Sequence, residues 1–234
     1  MTVPTGRGPY RPGVKRKAQI VEAAWIVFAR RGYSTGSLRE IADHVGISRT
    51  ALQRHFEAKE DLLTAVLDRW VSDMAEVSAT AGAGDGLDYF LAFPELMRYH
   101  VQNPGFIELF LTLSTEASDL QHPARGWIAD RYASIVADGV QHLGQACAAG
   151  QARPMTQGEI ATEIRGLFAV MDGLELQWMA NPDEDLSGNF DRLLASILGR
   201  WGVDPDVCDR VARGGGAADR RAIGERHDSP ESIG

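Results

Sequence analysis

Arg49, Thr50, Gln53, Arg54 and His55 lie within one short stretch, and each carries a hydrogen-bonding side chain. An arginine presents a planar fork of donors that fits guanine or a phosphate, and a carboxamide both donates and accepts, as the edge of adenine requires. Side chains of this kind can hold the phosphates and base edges of a nucleic acid. They do so only if a rigid element presents them together, so the flanking sequence has to supply that element.

It does so locally. Ser37 followed by Glu40 has the spacing of a capping box, in which each side chain satisfies a backbone N–H left orphaned at a helix start. Leu38, Ile41, Ala42 and Val45 then fall at i, i+3, i+4 and i+7, which makes one face apolar. Gly46 stands where a left-handed residue can end a helix, and Ser48 can cap the next one. In that second helix only Ala51, Leu52 and Phe56 look inward. Two short helices joined by a glycine turn, with a polar and basic second helix, form the pattern of a helix-turn-helix. The twenty residues alone also fit an ordinary solvated helix pair on a protein surface.

The flanks favour the first reading. Ile20, Ala23, Ala24, Val27 and Phe28 form a helical stripe upstream, long enough to shield the pair, with Gly32 ending it. Before this stripe, residues 1–14 are rich in Gly and Pro and lack apolar periodicity, which predicts a flexible basic arm. Charge is strongly partitioned: residues 1–59 hold eleven Lys and Arg against four Asp and Glu, a net +7, whereas the chain totals −8 and the remainder therefore −15. A localised basic patch can bind phosphates while the acidic remainder keeps the protein soluble.

From Lys15 to Leu63 the sequence resembles the DNA-binding domain of the tetracycline-repressor (TetR) family of bacterial regulators. The matching pieces are IVEAAWIVFARRGY, SLREIADHVGIS, TALQRHF and KEDLL, covering roughly one fifth of the chain. The resemblance implies that Ser37, His55 and Lys59 contact phosphates and that Arg49, Thr50 and Gln53 lie along the major groove. Ser48 and Arg54 complete the expected DNA-binding set. Two positions depart from the family pattern. Gln53 stands where Tyr is usual, which exchanges a phosphate contact for an amide able to read adenine. Ala58 stands where Ser is common, which weakens the cap of a fourth helix by roughly 1 kcal/mol.

The body reads as helical throughout, giving an all-α chain: a three-helix helix-turn-helix domain over 15–62, a helical ligand-binding and dimerisation domain over 63–201, and a disordered or loosely attached tail over 202–234. Residues from Lys59 to about Ala79 continue as the fourth helix, with Leu62, Leu63, Val66, Leu67, Trp70 and Met74 inward. Gly82 to Gly86 form a loop, and a helix from Leu87 to about Gln102 is expected to kink at Pro94. Helices are also expected over about 106–119 and 124–149. Thr156 and Glu159 open a further helix through a capping box, and another runs near Leu186 to Trp201.

The last two helices have apolar residues on more than one face. Gly166, Val170, Gly173 and Gln177, with Phe190, Leu194 and Ile197, are the expected dimer interface, because the family resemblance implies that these helices pair across a two-fold axis. The alternative is a purely intramolecular bundle. Phe93, Met97, Phe110, Trp127, Tyr132, Phe168, Met171 and Trp178 are candidate effector-pocket residues, although aromatic and Met residues at helical spacing more often build a core, and no ligand is assigned from them.

The resulting expectation is a homodimeric, ligand-released repressor of a pseudo-palindromic operator. Its partners would be double-stranded DNA, a second copy of itself and a small-molecule effector. No metal, cofactor or catalytic residue is assigned, because the six histidines lack metal-ligand spacing and no G-x-S-x-G or phosphate-loop motif occurs. A helical partner-binding adaptor and, further off, a metal-independent enzyme stand as alternatives. Neither a signal peptide nor a membrane span is visible, so a cytoplasmic protein without membrane contact is expected. Cys147 and Cys208 are far apart, and the expectation is a buried Cys147 and a loose Cys208.

Overall fold

Ser37 and Gly46 set the ends of a helix as their residue types predict. The computed structural model describes residues 11–80 and 84–214, with backbone alone at 11 and 12. Among these residues every regular element is an α-helix. They run in the order α1 (Arg11–Thr35), α2 (Leu38–Val45), α3 (Arg49–Gln53), α4 (Lys59–Thr80), α5 (Leu87–Leu91) and α6 (Phe93–Gln102), then α7 (Pro104–Glu116), α8 (Arg125–Ala148), α9 (Gln157–Ala180), α10 (Leu186–Arg200) and α11 (Pro205–Ala212). The all-α expectation holds.

Contacts divide the chain into two compact units, Met1–Ser72 with Glu108–Ile128, and Asp73–Ile107 with Ala129–Gly234. The expected boundary at 62/63 therefore lies elsewhere, because the apolar face of α4 continues through Leu67 and Trp70, and these residues group with the N-terminal helices.

In the first unit Ile20, Ala24 and Phe28 of α1, Ile41 of α2, Leu52 of α3, and Leu62 and Val66 of α4 are all completely buried. Each large apolar side chain removed from water in this way contributes about 1.5–3 kcal/mol. The Ser37 hydroxyl accepts the Glu40 N–H at 3.1 Å, and Gly46 adopts φ 72°, ψ 37°. The Ile47 N–H then returns to the Ala42 carbonyl at 3.0 Å, which closes α2. The expected reciprocal box is only half made: the Glu40 carboxylate lies 3.5 Å from Arg31. Helix α3 is a single turn or little more, and the His55 and Phe56 N–H groups continue it by bonding the Leu52 carbonyl at 2.8 and 3.1 Å. Ala58 does leave α4 without a side-chain cap of its own, but Asp61 reaches back to accept its N–H at 3.0 Å.

Two expectations at the termini need correction. Residues 11–14 of the expected arm belong to α1, which Pro12 can begin because the first turn needs no N–H there; residues 1–10 lie outside the described part. The expected tail from 202 contains α11, capped by Asp204 and started by Pro205, with Val203, Val207 and Val211 buried at four-residue spacing. Residues 215–234 lie outside the described part, as do 81–83 of the expected loop. Cys208 on α11 is half-buried rather than loose, and Cys147 is also half-buried.

The core of the second unit draws on α5, α6, α8, α9, α10 and α11. Trp201 is its largest fully buried side chain, edge-on to Phe90 at 4.9 Å with its indole N–H donated to Glu163 at 2.9 Å. The expected kink at Pro94 is a full break between α5 and α6. Pro94 occupies the first turn of α6, where its missing donor costs nothing. Helix α9 opens with both halves of the Thr156–Glu159 capping box in place.

Candidate nucleic-acid interface

The outer side of α3 carries the polar residues singled out above. Ser48, Arg49, Thr50, Gln53 and Arg54 are exposed, His55 is half-buried, and Ser37 is exposed at the start of α2. Ser48 holds α3 by accepting the Ala51 N–H at 3.1 Å. Both capping hydroxyls use an oxygen lone pair for the helix and keep their O–H to donate outward. Leu52 and Phe56 anchor the other side of the segment, and the Lys17 ammonium lies 5.1 Å from the Phe56 ring. The arrangement is a fixed hydrogen-bonding ridge, and no catalytic chemistry is apparent in it.

Lys59 behaves differently from its neighbours. Its ammonium donates to the Tyr33 carbonyl and, at 3.5 Å, to that of Ser34, and it sits 4.3 Å from the Tyr33 ring. Burial holds its pKa below the usual lysine range, against the opposing pull of Glu116 and Glu60. The ammonium is thus turned onto the end of α1.

Sequence reasoning missed the group that completes this turn. Glu116, at the end of α7, accepts the Tyr33 N–H at 2.6 Å and the Ser34 N–H at 3.1 Å. These amides are exposed to it because α1 breaks at Gly32, whose φ of 78° and ψ of 164° are not helical. A side chain at position 32 would be strained by that φ and would meet the Glu116 carboxylate at 2.6 Å. Buried His122 adds a ring-edge contact to Tyr33 at 5.2 Å, with its Nε2 3.6 Å from Glu116. The Tyr33 hydroxyl donates to Glu60 at 2.9 Å. Burial, followed by that bond and the Glu60 charge, raises the phenol's pKa well beyond its ordinary value.

The candidate pocket residues fall in both units. Phe110 and Trp127 pack on Trp70 in the first, at ring separations of 5.3 and 5.7 Å. Phe93, Met97, Phe168, Met171 and Trp178 are buried in the core of the second, and half-buried Tyr132 donates to Asp172 at 2.6 Å. Clefts open on the second unit among the described residues. One of 290 Å³ lies between the end of α9 and the start of α10, and one of 440 Å³ lies between α4 and α6. Of the eight residues only Trp178 lines either.

The expected dimer residues also separate. Gly166 and Gln177 on α9 are exposed, and Val170 and Gly173 are half-buried. Phe190, Leu194 and Ile197 are buried within the single chain and cannot form an outer face, because α10 packs its apolar stripe onto α6 and α9. The outward apolar residues are instead Leu176 on α9, 60% exposed, and Leu193 on α10, 41% exposed. Among the described residues no group of three or more His, Cys, Asp or Glu is placed to hold a metal, and no helix is long and apolar enough to cross a membrane.

Comparison with known proteins agrees with this geometry. Residues 20–66 match the model for bacterial regulatory proteins of the tetR family. The chain is 26% identical over 192 residues to the transcriptional repressor KstR2 of Rhodococcus jostii, covering 80% of this chain and 79% of that one. It is 28% identical over 199 residues to the transcriptional regulator TtgR of Pseudomonas putida, covering 81% and 92%. Among solved structures it is similar in fold to SmeT, the repressor of a Stenotrophomonas maltophilia multidrug efflux pump, in its complex with triclosan. There the TM-score is 0.68 at 20% identity over 81% of this chain and 92% of that one.

Proposed function

We propose that this chain, which matches the model for bacterial regulatory proteins of the tetR family over residues 20–66 and is similar to regulators of that kind over most of its length, works as a homodimeric, cytoplasmic repressor that a small molecule releases from a pseudo-palindromic operator. The observation that carries this reading is the exposed, capped ridge of α3, set within a segment of net charge +7 in an otherwise acidic chain. Arg49, Thr50 and Gln53 would read base edges, while Ser37, Ser48, Arg54, His55 and Lys59 would engage phosphates.

A second copy would pack against the outer faces of α9 and α10. Gly166, Gly173 and Gln177 lie there with Leu176 and Leu193, and a Cβ built at either glycine meets nothing within 4 Å in the single chain. Two α3 ridges related by a two-fold axis would match operator half-sites about 34–36 Å apart, one turn of B-DNA. An effector binding the second unit would then act by its differential affinity for the spacings that hold or release the operator, typically about 1–3 kcal/mol. SmeT, in its complex with triclosan, gives a precedent for small-molecule binding on this fold. Phe93, Met97, Tyr132, Phe168, Met171 and Trp178 remain candidates for contact within the second unit, and Phe110 and Trp127 within the first.

A mobility-shift assay on the DNA upstream of its own gene tests the reading. We expect a salt-sensitive, sequence-dependent shift by a dimer. An unshifted fragment in dilute buffer, with a monomeric hydrodynamic mass at micromolar concentration, would refute it.

A further inference from the structure

The core of the second unit holds polar groups that neither DNA binding nor helix capping uses. His100 on α6 is 6% exposed and Glu175 on α9 is 4% exposed, and the ring Nδ1 lies 2.7 Å from the carboxylate. Asp172, one turn earlier on α9, accepts the Tyr132 hydroxyl of α8 at 2.6 Å. The His100 ring is stacked on Phe106 at 5.7 Å. Two carboxylates, a phenol and an imidazole therefore meet among apolar helices of one unit.

The hydrogen-bond inventory of this group does not close. An ionised Glu175 only accepts, so Nδ1 of His100 must carry the ring proton facing it, which leaves Nε2 as a lone-pair acceptor in the neutral ring. Nε2 is fully buried and has no partner among the described residues. A buried polar atom left without a partner keeps the whole cost of its lost hydration, and an interior built for packing alone would place a carbon there. Burial, and then the neighbouring Glu175, push the Asp172 carboxyl above its ordinary pKa, against the Tyr132 hydrogen bond. An incoming anion would meet two acidic side chains, whereas a donor would find an acceptor already oriented.

We propose that His100 Nε2, held in its acceptor tautomer by Glu175, is the recognition point for the effector, and that the effector is a neutral or cationic small molecule offering a hydroxyl or ammonium donor. This deepens the ligand-release reading above and rests on it. Glu175 is a positioning residue, since it acts through the imidazole. Phe106, Met97 and Phe168, near or within the same core, supply an apolar body for the ligand to lie against.

The test uses the full chain with ¹⁵N-labelled histidine and four probes of similar size: phenol, benzylamine, acetophenone and benzoate. The free protein should show His100 with its proton on Nδ1. Phenol or benzylamine should move the Nε2 resonance at concentrations at least about tenfold below those at which acetophenone or benzoate do so. Which of the two donors binds more tightly distinguishes a neutral from a cationic effector. Glu175→Gln, whose amide can donate to Nδ1 and so place the proton on Nε2, should abolish that donor preference while the far-ultraviolet circular dichroism stays unchanged. A proton found on Nε2 in the free wild-type protein would overturn the proposal, as would equal response to phenol and acetophenone, or a preference unaltered in Glu175→Gln.

Operator retention, measured in parallel, separates the two levels. Donor probes that move Nε2 but leave the operator bound keep the recognition chemistry and refute ligand release. Release by probes that leave Nε2 unmoved keeps release and refutes this site.

Discussion

The carboxylate of Glu116 accepts the backbone N–H of Tyr33 at 2.6 Å, joining residues 83 positions apart in sequence. With its second bond to Ser34, Glu116 does for the broken end of α1 what a local side chain could not, and the Lys59 ammonium holds the carbonyls of the same turn. One turn of backbone is thus clamped on its donor side by an anion and on its acceptor side by a cation.

Removing the anion should therefore loosen the helix-turn-helix from behind. Glu116→Gln keeps one acceptor but loses the charge, at a cost of about 1–3 kcal/mol. Urea unfolding should show that loss, and hydrogen exchange at the Tyr33 and Ser34 amides should quicken. Unchanged exchange at both amides would show that the clamp contributes nothing.

Lys59 has two roles to separate. Lys59→Ala should lower stability through the lost carbonyl bonds, weaken binding to all DNA sequences alike, and reduce the salt slope of log K by about 0.9. A variant that loses stability yet retains the wild-type salt slope would assign Lys59 to the α1 turn alone.

Base readers should act differently. Arg49→Ala and Gln53→Ala each leave the buried side of α3 untouched and should relax preference at particular base pairs by about 1–3 kcal/mol. Selection from a random operator library checks this. A uniform loss across all sequences would make them phosphate contacts.

On the outer side of α9, Leu176→Asp places a charge on the exposed apolar face without disturbing the monomer core. Sedimentation should show dissociation, with operator affinity falling as the second reader is lost. A dimer of undiminished stability would move the interface elsewhere.

The buried Asp172 gives a pH dependence of fixed sign. Its folded-state pKa is raised by burial above the unfolded value of about 3.9. Its contribution to stability is therefore fully present below that pH and lost as pH rises through the folded pKa. Asp172→Asn cannot ionise, so its melting temperature should gain on that of wild type as pH climbs above about 4 and level off once Asp172 is ionised. A difference that narrows with rising pH would contradict the assignment.

Sequence alone determined the features whose causes lie within one or two helical turns. Ser37, Gly46, Ser48 and Thr156 each set a helix end through bonds to residues at most five positions away, and the α3 ridge follows from Leu52 and Phe56 pointing the other way. The signal for α11 is equally local, an Asp204–Pro205 start followed by valines four apart, set within a polar segment that otherwise lacks periodicity. Only the tertiary structure decided which of several apolar faces is buried: α10 offers Phe190, Leu193, Leu194 and Ile197 at helical spacing, and packing on α6 and α9 buries all but Leu193. It alone brought Glu116 to Tyr33 and His100 to Glu175, because a carboxylate's partner across 75 or 83 residues leaves no periodic trace in the chain. Local periodicity fixes helices and their ends, whereas charge pairing in a low-dielectric interior depends on which helices meet.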